Sequence, residues 1–174
     1  MKQVSSSSPF GGNKKGAAYL RSRGWRNNNP LNIRRGDEWV GLVAKQNRTD
    51  GQFCQFITMA FGYRAAYKVM KSYYRFFTQQ GKPCTVEAVI KRWAPENENN
   101  TASYLATVCR LTECRPTDTL EPGTRLGDRH IAWLMAAMTC VECGCRPEEV
   151  NYSSLTTGII LAGGTSLTLE DARL

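Results

Sequence analysis

The chain contains a single histidine, and that scarcity removes most nucleophilic and metal chemistry. A Ser-His or Cys-His pair would have to use His130, which precedes an apolar helical segment and has no motif around it. Neither a phosphate-cradling P-loop nor a G-x-G-x-x-G turn is present, so nucleotide binding by those two devices is excluded. No uncharged apolar run reaches the roughly 18–20 residues that a membrane span needs. The longest, Ile131 to Val141, is too short. Met1 to Gly12 lacks the apolar core of a secretory signal. If the protein acts outside the cell that makes it, lysis or a particle is expected to carry it there. There is no internal repeat and no long block of like charge.

What is present is a basic chain of 174 residues, 41% hydrophobic, with a formal net charge of +8. That composition fits one domain with a real core. The charge attracts polyanions, although a solvated basic face of no special role explains it equally well. Seven cysteines cannot all pair within one chain. Cys140, Cys143 and Cys145 give C-x-x-C-x-C, but a structural zinc site wants four ligands, usually as two separated pairs. Buried reduced thiols are the expectation, with no metal and no cofactor.

Residues 1–24 read as a flexible lead-in rich in Ser, Gly and Lys, with a short helical turn near Ala17 to Arg21. Residues 25–150 form the main domain. Trp39 to Ala44 and Gln52 to Phe56 read as the two strands of a small β-hairpin, turned at Asn47 to Gly51. From Gly62 the period becomes helical, with Ala66, Val69, Met70, Tyr73, Phe76 and Phe77 on one stripe. Thr85 is placed to cap a second helix, which Pro95 ends, and Asn100 or Thr101 to cap a third. A fourth helix spans about Asp128 to Cys143. Residues 151–174 form either an arm or the completion of the core. The fold class is α+β, mostly helical.

Two segments are poor core material and good material for gripping a polar polymer such as a glycan. One is the loop Arg26 to Arg34, containing Asn27, Asn28, Asn29 and Asn32, followed by Trp39. The other runs from Arg92 through Trp93, Pro95 and Glu98 to Tyr104. The sharpest candidate is Glu142. At about 100° per residue, Ile131, Met135, Met138 and Glu142 fall on nearly one line, so this glutamate ends an apolar stripe. Desolvation disfavours a carboxylate anion, and a protonated glutamate is what general-acid cleavage of a glycosidic bond requires. Glu98, in a loop between helices, is the second candidate.

Taken in order, R-N-N-N-P-x-N-I-R at 26–34, W-x-G at 39–41, D-G-x-F-x-x-F at 50–56, G-Y-R-A at 62–65, W-A-P-x-x-E-N-x-T-x-x-Y at 93–104 and A-M-x-x-V-E-x-G at 137–144 resemble a phage-encoded family. Its members are labelled virion structural protein or muralytic enzyme. Leu31 stands where that family usually has Gly, and Cys143 where it has Asn. The motif order also resembles flagellar-type glucosaminidases of the lysozyme-like superfamily. In those, the helix ending in the catalytic glutamate precedes the Asn-Asn loop; here such a helix follows it, which implies a circularly permuted lysozyme-like core. The resemblance implies a virion-associated peptidoglycan glycosidase, either muramidase or lytic transglycosylase. Glu142 would be its acid and Glu98 a second carboxylate. Asn27, Asn28, Asn29 and Asn32 would meet sugar amides, and Trp39, Trp93 and Tyr104 would line the substrate. Expected partners are peptidoglycan strands and other tail or baseplate proteins. A non-catalytic tail component that kept the fold is the alternative, and nucleic-acid binding ranks third.

Overall fold

The structure, a computed structural model, describes residues 18–174. The expected lead-in lies outside the described residues as far as residue 17. Beyond it, a turn of 3-10 helix at Tyr19–Arg21 leads into the short helix α1 (Arg23–Arg26), capped by Ser22. Five longer helices follow: α2 (Met59–Gln79), α3 (Val86–Trp93), α4 (Thr101–Thr112), α5 (Arg125–Cys143) and α6 (Tyr152–Leu161). A final turn, α7, spans Leu169–Ala172.

Local chemistry sets most of these boundaries. The side chains of Thr85, Asn100, Thr124 and Asn151 each accept from a backbone N–H three residues on, which satisfies a donor that a helix start leaves open. Thr124 starts α5 at Arg125, ahead of the expected Asp128. Pro95 follows α3 and forbids its continuation. Gly144 ends α5 in the left-handed region at φ 65°, which glycine enters without steric penalty.

α5 is the axis of the domain. Ile131, Ala132, Leu134, Met135, Ala137 and Met138 are all buried on it. α2 crosses it, and the Tyr63 hydroxyl shares a 3.0 Å hydrogen bond with Thr139. α6 lies against α2, with Leu155 and Ile159 fully buried. Residues 151–161 are thus part of the core. The close approach depends on Gly158, where a Cβ would lie 2.6 Å from the Tyr63 Cβ and 2.7 Å from the Ala60 carbonyl oxygen. Gly158→Ala is expected to separate the two helices and cost about 1–3 kcal/mol, read as a lower urea midpoint.

The mostly helical expectation holds, but the expected hairpin does not form ladders. Among the described residues no strand is present, only isolated bridges such as Leu42 with Phe56 and Arg34 with Phe53. Residues 52–56 are shared between two neighbours. Val43 donates to the Gln55 carbonyl on one side, while Cys54 donates to the Ile33 carbonyl on the other. Gly41, at φ 83°, breaks the first extended run, and its own turn leaves no room for a Cβ against Phe61.

Candidate functional site

The loop after α1 is built by its asparagines. Asn28 and Asn32 adopt left-handed conformations, φ 49° and 50°, which Asn tolerates better than most residues. Asn29 is fully buried and donates to the carbonyls of Ile33 and Cys54, both at 2.9 Å, while accepting from the Ile33 N–H. Asn28 donates to the Phe56 carbonyl. Asn27 donates to Asp50 at 2.8 Å. The amide nitrogens of Asn27, Asn28 and Asn29 therefore help to hold the loop.

Asp50 is the other half of that construction. It accepts from the N–H groups of Gln52 and Phe53 and pairs with Arg23 at 3.3 Å. Burial pushes its carboxyl up, but the Gln52 N–H, the Asn27 amide, the Phe53 N–H and Arg23 outweigh this and hold it at about 2. A depressed folded-state pKa means a contribution present above the ordinary value of 3.8 and lost as pH falls toward 2. Asp50→Asn is expected to flatten the pH dependence of stability between about pH 4 and 2, measured by urea melts across that range.

The free side of the loop points to the end of α5. Asn32 Nδ2 donates to Glu142 Oε2 at 2.9 Å. The indole N–H of Trp93, the last residue of α3, donates to Oε1 at 3.2 Å. The Tyr104 hydroxyl, from the first turn of α4, donates to the same oxygen at 3.1 Å. One half-buried carboxylate thus gathers the loop and three helices. No basic side chain of the described residues lies within ion-pairing distance of it. Burial, then the charge and hydrogen bond of Glu142, raise the Tyr104 phenol well above its ordinary value, so it remains a donor. The neighbouring Cys143 thiol, pushed up to about 11 by burial, donates to the Pro30 carbonyl and docks α5 on the loop. Gly24 seats the far side: a Cβ there would lie 2.8 Å from Cys143 Sγ and 3.1 Å from Asn32 Oδ1.

Asn32, Trp93 and Trp39 line a cleft of about 240 Å³ beside this carboxylate. Ile33 and Val69 also line it, as do Tyr73, Arg34 and Asp37. Sequence reasoning missed these three. Tyr73 sits at the edge of the α2 apolar stripe, and an aromatic with a polar tip in that position is the signal that could have flagged it. Glu98 is exposed and ion-paired with Arg34 at 3.1 Å, on the rim and apart from the Glu142 donors. His130 lines a different cleft with Cys114 and Asp118, and no hydrogen bond joins the three. Among the described residues no cluster of three or more His, Cys, Asp or Glu could hold a metal ion. No described helix is long and apolar enough to cross a membrane.

Fold and site together define a mostly helical domain in which a loop and three helices meet at one carboxylate, and two of its donors, Asn32 and Trp93, line a cleft. No protein-family model matches the chain. Protein P5 of Pseudoalteromonas phage PM2 is 32% identical over 130 residues, covering 72% of this chain and 74% of that protein. The chain therefore belongs to the family of this phage protein.

Proposed function

We propose that the chain is a virion-associated peptidoglycan glycosidase with a lysozyme-like, circularly permuted core. The observation that carries the reading is the Glu142 carboxylate, held at the end of a buried helix by Asn32, Trp93 and Tyr104 beside an open cleft. Three neutral donors fix the rotamer of this side chain, and no ion pair holds it, so it is aimed. The bond from Asn32 to Glu142 supports the permutation, which requires this helix end to meet the Asn loop. The phage relative supports the virion setting.

In this reading Glu142 protonates the leaving glycosidic oxygen, while Trp39, Trp93 and Tyr73 offer faces for sugar rings. Glu98 is exposed and held in an ion pair by Arg34, whereas Glu142 has none. That favours a lytic transglycosylase, in which one glutamate suffices because a sugar hydroxyl displaces the leaving group and an anhydro end forms. Zymography of the full chain on purified peptidoglycan tests this, with mass spectrometry of released fragments. Clearing with anhydro ends is the expected result; clearing with reducing ends would mean a muramidase.

A second reading has one observation in its favour. The Glu142 network ties four segments together, and a non-catalytic phage structural protein could keep it as a pin. A folded wild type that clears no peptidoglycan would select it.

A further inference from the structure

A second groove, about 770 Å³, follows the exposed face of α2 next to the Glu142 cleft. Asp37, Trp39, Val69 and Tyr73 line both spaces, so they share a wall. The far wall carries Lys68, Lys71 and Arg75. With Arg64 these stand four, three and four residues apart on a helix that holds no acidic residue. Like charges at such spacings repel one another.

Elsewhere some exposed cations are paired and others, such as Arg35, Lys82 and Arg110, are not. Lys91 pairs with Glu87, Arg115 with Asp118, Arg125 with Asp171 and Arg146 with Glu149. Lys68, Lys71 and Arg75 pair with no described acid, and residues 1–17 contain no Asp or Glu to reach them. The groove also holds a donor without an acceptor, since Trp39 Nε1 is buried and makes no hydrogen bond among the described residues. A merely solvated basic face explains the three cations alone. It does not explain why they wall a groove with Trp39, Tyr73 and Tyr74, continuous with the cleft at Glu142.

We propose that this groove is an anion subsite that holds the carboxylate-bearing peptide stems of peptidoglycan while the adjoining cleft holds the glycan strand. The proposal rests on the glycosidase reading. Lys68 and Lys71 act as point charges, and Arg75 supplies a planar fork that can grip one carboxylate with two N–H groups. The side groups of the polymer, as well as its sugars, then set where the enzyme binds along a strand.

The test is co-sedimentation of the full chain with sacculi, intact or stripped of their stem carboxylate charge by carbodiimide amidation. Wild type is compared with the Lys68→Gln/Lys71→Gln/Arg75→Gln variant. Three exposed ion pairs together are worth roughly tenfold in affinity. Wild type should bind intact sacculi roughly tenfold tighter than stripped ones, with the difference shrinking as salt rises. The variant should bind both alike, at the stripped level. Equal binding of wild type to both overturns the subsite and leaves the glycosidase reading standing. No binding to either overturns both. Loss of duplex DNA binding in the variant, with sacculus binding unchanged, also overturns the proposal and assigns the groove to nucleic acid.

Discussion

Glu142→Gln is expected to abolish clearing of peptidoglycan while the helical circular-dichroism spectrum is unchanged. Glutamine keeps the length and shape of the side chain and still accepts from Trp93 and Tyr104. It cannot supply a proton, and loss of a positioned general acid is worth on the order of 10²–10⁴ in rate. Its amide nitrogen would face the Asn32 amide, now donor against donor, at a cost of about 1 kcal/mol unless Asn32 flips. Stability therefore falls slightly and activity falls by orders of magnitude, and that separation marks a chemical role. Glu98→Gln, which breaks only an exposed pair with Arg34, should clear at close to the wild-type rate. A Glu142→Gln protein that clears sacculi as fast as wild type would sink the assignment.

Asp128→Ala is expected to have the largest effect on stability. Asp128 is fully buried at the start of α5 and accepts from the Tyr67 hydroxyl, the Gly123 N–H at 2.9 Å and the Thr165 N–H at 2.7 Å. These donors come from α2, from the turn before α5 and from the segment after α6. Alanine strands all three in a dry environment, each at about 1–3 kcal/mol before relaxation. A net loss of about 3–5 kcal/mol lowers the melting temperature by roughly 10–15 °C in a domain of this size. Tyr67 reports the same contact: burial, then the hydrogen bond to Asp128, raises its phenol. Removing the aspartate should bring that ionisation down, which ultraviolet titration reads directly. A melting temperature within about 2 °C of wild type would mean that these bonds carry little.

Features written in adjacent residues were the legible ones. Thr85 and Asn100 cap their helices as the sequence indicates, because a cap involves a residue and its third neighbour. Glu142 stood out because eleven uncharged positions before it, Ile131 to Val141, make a helix that must be buried. Asn32, Trp93 and Tyr104 were marked as candidates, and all three reach that carboxylate. The asparagine run has a structural use that the sequence did not announce. Its polarity suggested a ligand, and the left-handed turns at Asn28 and Asn32 and the backbone around Asn29 also draw on it. The two strands failed because residues 52–56 are divided between two partners, which periodicity along one strand does not reveal. In the sequence Asp128 marked only the start of a helix. Nothing local announces that Thr165, 37 residues later, will donate to it.

The partners in the Glu142 cradle are far apart along the chain. Asn32 and Glu142 are separated by 110 residues, and Trp93 and Tyr104 lie between them. At a synthesis rate of about 5–20 residues per second, Asn32 leaves the ribosome roughly 5–20 s before its acceptor does. During that interval the loop can form on its own asparagines, but Asn32 has no Glu142 to donate to. Contacts of such long range also close slowly, because the loop entropy is lost before they reward it. A nascent or partly folded copy therefore lacks this cradle, which is complete only with the docking of the last turn of α5.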